Sequence, residues 1–381
     1  MESRAKNLFF ALLRRALWGG EVCLDYDAVS REDLLAVVGM SKSQTVKGLI
    51  SCELLEDEEL SALFSEKDRE VLTNWVMVNW LTSQKISQTL AKVAKELHGH
   101  RIRPVLLKGA GVAHYYLRPE LRQCGDIDIY VAPESFLKAC EVLDAMADVE
   151  GDKNDITALK KHYRAHIEKT HVELHRFTDI YFPKSLDKVY QKISDEGTSE
   201  GLVPMGFYGV EVMTPSTDFN VFFVFNHFWH HFILEGVGLR QICDWCILLH
   251  ANRDKIDREH LGDMLDRMGL MKEWKVFGNI AVDALGLPKD EMPFYEPRYQ
   301  RQAEKVLNII LSEGNFGVEN FRRYRRPKAY YAGKLYSFRK RIQRSLRVFG
   351  IFPVQVVRQL ACVAVGGVST VFEEKFSKSG Q

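Results

Sequence analysis

The sequence predicts an α+β fold in which a small α/β unit is enclosed by helical segments on both sides. Three observations carry this. Apolar residues recur at helical spacing through roughly the first hundred positions. A strand, a glycine turn, a helix and a second strand then follow in quick succession, and helical spacing returns at Ser216.

Taken in order, "NLFFALLRRALWGG" predicts an amphipathic helix ending at Gly19, and it reads better so than as a secretory signal. In "KISQTLAKVAKELHGH", Ile86, Leu90, Val93 and Leu97 follow one helix face, with Gly99 as the stop. "IRPVLL" predicts a buried strand, "GAGVAHYYL" a short helix, "RPELRQCG" a loop and "DIDIYV" a second strand. Pro133 opens another helix whose apolar row is Phe136, Leu137, Cys140 and Leu143. The polar stretch "DVEGDKNDIT" leads to a hairpin over "HYRAHIEKTHVELHRF" that turns near Lys169 and Thr170. "SDEGTSEG", residues 194–201, predicts a loop. After the N-cap Ser216 come "STDFNVFFVFNHFWHHFIL", "LRQICDWCILLHA" and one or two more helices up to residue 313. The expected divisions are a helical region 1–100, a core 101–213, a helical domain 214–318 and a basic, helical tail 319–381.

With 46% hydrophobic and 27% charged residues, the 381-residue chain has the balance of a soluble globular protein. Its seven cysteines are irregularly spaced, which favours free thiols in a reducing cytoplasm over a disulfide framework. The net charge of +1 conceals an asymmetry. From Glu319 onward fourteen Lys/Arg face three Glu, a net of +11, which leaves −10 on the first 318 residues. The longest apolar run of the tail, "LACVAVGGVSTVF", has 13 residues and is too short to span a bilayer.

The chemistry centres on "DIDIYV". Carboxylates are depleted in strands, yet Asp126 and Asp128 stand two apart and so share a strand face. Their like charges call for something positive between them. A hard divalent cation such as Mg²⁺ prefers such oxygen ligands and keeps positions open for water and phosphate. Gly125 leaves room beside them. The "KGAG" turn, with Lys108, Gly109 and Ala110, adds a point charge and backbone N–H groups suited to phosphate.

These residues resemble the polymerase-β-like nucleotidyltransferase superfamily, and within it a bacterial group of uncharacterised nucleotidyltransferases. The resemblance rests on Leu106-Leu107-Lys108-Gly109, then Arg122-Gln123-Cys124-Gly125-Asp126-Ile127-Asp128-Ile129-Tyr130-Val131. After them come Glu173-Leu174-His175, His227 with His231, and Leu239-Arg240 with Asp244. The turn is Gly109-Ala110 where the superfamily prefers Gly-Gly or Gly-Ser, and its distance from Asp126 is slightly long. The resemblance implies a polymerase-β-like core with a small mixed sheet. It also implies transfer of a nucleoside monophosphate from an NTP, ATP among the candidates, to a hydroxyl-bearing acceptor by a two-metal mechanism. Mg²⁺ or Mn²⁺ would be held by Asp126, Asp128 and Glu173. Lys108, Gly109, Ala110, Gly125 and Arg122 would bind the nucleotide, and His171, His175, His227, His231, Arg240 and Asp244 would line the acceptor side.

Other readings compete at several of these positions. His227 and His231 share a helix face, as in zinc proteases, but Phe228 stands where those enzymes need Glu. Arg240 and Asp244 are one helical turn apart and equally suit an ion pair. "CDWC" lies inside a helical run, which favours buried thiols over redox chemistry. The tail interleaves Arg/Lys with aromatics and suits docking on the acidic body, an anionic membrane surface or nucleic acid. Two further functional classes therefore stand beside the enzyme. One is a binding or regulatory protein on a degenerate nucleotidyltransferase fold, and the other a membrane-surface accessory protein of polysaccharide assembly.

Overall fold

The computed structural model describes residues 2–20, 26–148, 162–315 and 330–361. The chain opens with α1 (Glu2–Trp18), whose Leu8, Phe9, Leu12, Leu13 and Leu17 are buried. Helices α2 (Arg31–Ser43) and α3 (Lys47–Glu56) pack beside it, and the short α4 (Glu58–Ala62) packs on α3. The long α5 (Glu66–Gly99) starts at a capping box between Ser65 and Asp68. Its Ile86, Leu90, Val93 and Leu97 are buried, as their spacing requires. Gly99 is still helical, and the left-handed residue after the helix is Arg101 at φ 61°.

A mixed six-stranded sheet follows, in the order β3-β4-β2-β1-β6-β5 among the described residues. Its strands are β1 (Val105–Leu107), β2 (Asp126–Tyr130), β3 (His162–Ile167), β4 (Thr170–His175), β5 (Val203–Phe207) and β6 (Val210–Thr214). The hairpin β3–β4 turns at Glu168 and Lys169, both at positive φ, one residue earlier than its sequence suggests. Most of the polar stretch before it lies outside the described residues. The hairpin β5–β6, unexpected from the sequence, turns at Tyr208-Gly209. Pro204 and Gly206 weaken its strand signal, and β5 tolerates them because it is an edge strand.

Alternation along the strands divides the sheet into two unlike faces. Leu106, Ile127, Ile129, Val172 and Leu174 form one core with the buried rows of α5 and α7 (Phe136–Met146). In α7 that row is Phe136, Ala139, Cys140 and Leu143, while Leu137 is exposed, because the helix begins three residues after Pro133 and rotates Leu137 outward. The other face carries Leu107 and Tyr130 into a larger core, together with the acidic positions.

The second core is built around α9 (Thr217–Leu234), whose N-cap position is Ser216. Residues 194–199, expected in a loop, belong instead to α8 (Lys184–Ser199). Gly197 explains why a loop-like composition folds as a helix here. A Cβ at that position would lie 2.1 Å from Phe219, so the glycine is what lets α8 and α9 approach. Beyond α9 lie α10 (Leu239–Asn252) and three further α-helices, α11 (Arg258–Met268), α12 (Met271–Asn279) and α13 (Gln300–Glu313).

The described part of the tail comprises α14 (Tyr330–Phe349) and a helix over 353–361. It docks on the body. Val348, Ile351, Phe352 and Val356 are buried, and the Phe352 ring meets that of Trp229 edge-on at 4.8 Å. Arg344 and Arg347 both pair with Glu313, and Gln355 donates to the Gly269 carbonyl at 2.7 Å. Among the described residues no helix is long and apolar enough to cross a membrane. The five described cysteines are free thiols.

Candidate functional site

Strands β2 and β4 run parallel, and their register sets Asp126 opposite His171, Asp128 opposite Glu173 and Tyr130 opposite His175. Because side chains two apart share a face, Asp128, Glu173 and His175 emerge together. His175 Nε2 lies 2.9 Å from Asp128 Oδ1 and 3.4 Å from Glu173 Oε2. Ligand atoms of these three residues lie within 4.8 Å of one another, a group able to hold a metal ion. Two of the three expected carboxylates thus come together, with His175, expected on the acceptor side, as their neighbour. Asp126 shares the face but stands at its exposed rim, outside that group.

Positive side chains surround the carboxylates. Lys108 Nζ is 3.2 Å from Asp128 Oδ1 and 3.2 Å from His227 Nε2. Arg164, opposite Glu173 in the β3–β4 ladder, bonds its carboxylate, and His162 Nε2 lies 3.7 Å from the same group. Burial works to raise the Asp128 carboxyl, but Lys108 and His175 outweigh it and hold it below the usual range. Glu173 follows the same pattern, burial being overcome by His175 and Arg164. For His175, burial opposes the charge, yet its bonds to Asp128 and Glu173 raise it above an ordinary histidine. Its Nδ1 is buried without a hydrogen-bond partner among the described residues.

The turn after β1 has the strain expected of a ligand-facing loop. Lys108 sits at φ 43° and Gly109 at φ 47°, and α6 (Gly109–Ala113) begins there with Ala110 buried. Gly109 backs onto the Asp126 carbonyl, whereas a Cβ added at Gly125 would meet nothing within 4 Å. The space beside Asp126 is therefore open.

Arg122 is not part of this opening. It is 4% exposed and grips Asp244 at two points, Nε to Oδ1 at 2.9 Å and Nη2 to Oδ2 at 2.6 Å. Tyr116 donates to the same carboxylate at 2.8 Å. Asp244 therefore pairs with Arg122 and not with its helix neighbour Arg240, which donates instead to the Gln123 carbonyl at 2.7 Å. This buried knot ties the 118–125 loop to α10, so the expected phosphate contact from Arg122 gives way to a clamp. No local spacing signals a pairing between residues so far apart in the chain.

On α9, His227 and His231 approach Nε2 to Nε2 at 3.2 Å, while Phe228 points into the core. Burial, then Lys108 and His231, push His227 well below an ordinary histidine, so it faces Lys108 neutral. Beside them the His230 Nδ1 is 2.6 Å from Asp179, and its ring packs on Tyr181 at 4.6 Å. Asp179 and Tyr181 lie in a segment whose sequence carries no strand or helix signal. Arg164 was legible once the hairpin was placed, since a turn at 168–169 puts it across from Glu173. His171 lies on the same strand face, its ring against His166 at 4.9 Å. Cys243 and Cys246 are buried in α10, where burial raises both thiols, which suits packing and not redox chemistry.

The donor set fits a divalent cation. Two carboxylates on adjacent strands supply hard oxygens from one face, and the surrounding cations show how much negative charge that face must balance. Compared with known families, residues 30–278 match the model of the uncharacterised nucleotidyltransferases, and the chain belongs to that family. Neither the curated proteins nor the solved structures gave a match.

Proposed function

We propose that this nucleotidyltransferase-family chain is an active enzyme that moves a nucleoside monophosphate from an NTP to a hydroxyl-bearing acceptor. The observation that carries the reading is the register of β2 and β4, which sets Asp128 beside Glu173, with Lys108 reaching Asp128 Oδ1. Asp126, Asp128 and Glu173 would hold Mg²⁺ or Mn²⁺. A bound divalent cation supplies phosphate charge neutralisation and lowers the pKa of the acceptor hydroxyl.

The chain's own groups do the rest. Lys108, at the strained turn with Gly109 and Ala110, supplies a mobile positive charge for the triphosphate. Gly125 leaves the approach to Asp126 clear. His175 anchors Asp128 and Glu173 from the buried side and so fixes their direction. His171, His227, His231 and Arg240 would line the acceptor side, while Arg122 and Asp244 hold the loop that positions Asp126. In this reading the 101–213 core performs the chemistry and residues 214–318 shape the acceptor pocket. The free thiols suit a cytoplasmic protein.

The test is release of pyrophosphate from each NTP with Mg²⁺ or Mn²⁺ across a panel of hydroxyl-bearing acceptors. Turnover that disappears in Asp128→Asn supports the assignment. Metal-dependent NTP binding with no release under any acceptor would place the chain among degenerate, regulatory members of the fold.

A further inference from the structure

The tail's inner face is spent on docking, but its outer face is not. Leu346 and Phe349, at the end of α14, are 64% and 46% exposed. Val354 and Val357, on the helix over 353–361, are 60% and 57% exposed. Each pair is three residues apart and so shares one side of its helix. The two pairs flank the turn at 350–352, whose Ile351 and Phe352 are buried in the body. Four large apolar side chains thus stand in solvent at one corner, where a merely docked tail would place polar residues.

The described tail itself carries charge of a single sign. Residues 330–361 contain seven Lys/Arg and no Asp or Glu. Arg344 and Arg347 are answered by Glu313, and Arg358 bonds to the Met268 carbonyl. Arg339 is exposed, and seven residues before Leu346 it lies two turns away on the same side of α14.

We propose that this corner seats the protein on an anionic lipid surface, with Leu346, Phe349, Val354 and Val357 entering the headgroup–acyl boundary and Arg339 meeting lipid phosphates. Apolar tips beside an exposed cation are what such a surface binds. Nucleic acid would use the cations, but Leu346, Val354 and Val357 offer bases nothing to stack on. The proposal rests on different residues from the catalytic reading and stands or falls without it.

The test is flotation of the full chain with vesicles of phosphatidylcholine alone, or containing about one third phosphatidylglycerol. The expected result is flotation with the anionic vesicles only, reversed by salt. The variant L346S/F349S/V354S/V357S should bind about tenfold more weakly or worse, with its thermal transition and nucleotide binding unchanged. Arg339→Glu, which removes no apolar contact, should weaken binding about fivefold. Absence of flotation with anionic vesicles, or flotation of the four-residue variant equal to wild type, would overturn the proposal. Salt-sensitive binding to a single-stranded RNA oligomer, retained by that variant and unaccompanied by vesicle binding, would assign the tail to nucleic acid instead.

Discussion

Asp128 and Asp244 are both buried carboxylates answered by cations, and they are built in opposite ways. Asp244 meets one guanidinium at two points and a tyrosine hydroxyl, and among the described residues nothing of like charge is bonded to it. Asp128 is held by single contacts from Lys108 and His175, and a second carboxylate, Glu173, stands directly across from it. Setting two carboxylates together costs stability unless positive charge is supplied. The closed pair has the geometry of a clamp, whereas the like-charged pair, ringed by separate cations, has the geometry of a place where another cation can enter. Burial alone does not distinguish them; the arrangement of partners does.

The contrast can be broken by substitution. Asp128→Asn leaves Glu173 still bonded to His175, so nucleotide transfer should fall about 10³-fold or more while stability falls by less than in Asp244→Ala. Asp244→Ala strands Arg122 in the interior and should cost about 3–5 kcal/mol of stability, read by urea unfolding. The fraction that remains folded should lose less turnover than Asp128→Asn, because Asp244 acts only through the loop that positions Asp126. If Asp128→Asn unfolded the protein and Asp244→Ala spared its stability but abolished turnover, the two roles would have been assigned backwards. Lys108→Met should come next, lowering transfer about 10–100-fold by removing one mobile charge, with a larger loss in kcat than in stability.

Glu273 is a buried carboxylate of another kind, since among the described residues no cation is bonded to it. Burial pushes Glu273, on α12, up to about 7, and the nearby Lys272 and Arg358 only partly offset this. A raised carboxyl means that ionisation favours the unfolded chain. The penalty is absent below about pH 4, the ordinary carboxylate range, grows as the pH rises toward 7, and is complete above that. Glu273→Gln should therefore stabilise the protein at pH 8 by about 1–3 kcal/mol and leave it unchanged at pH 4, as unfolding midpoints at the two values would show.

Much of the site was readable before folding, because local rules wrote it. The period-2 pattern of "DIDIYV" and "HVELH" puts Asp126, Asp128, Glu173 and His175 on one face, and the glycine turn marks Lys108. What could not be read were long-range pairings. Arg122 looked like a phosphate ligand because it precedes the acidic strand, but Asp244, on a distant helix, claims it. The fold shows the same limit. Helices with clear apolar rows were legible, whereas residues 194–199 resembled a loop because the glycine that normally breaks a helix here admits Phe219. Strand β5 escapes a sequence reading because Pro204 and Gly206 are tolerated only at a sheet edge, and edge position is a property of the whole sheet.

The most direct measurement is a calorimetric titration of the protein with non-hydrolysable NTP analogues, with and without Mg²⁺, beside the Asp126→Asn/Asp128→Asn double variant. Binding that requires both the metal and the two aspartates is the predicted result. Equal binding by the variant, or by wild type without metal, would contradict the claim that this strand face holds a metal-bound nucleotide.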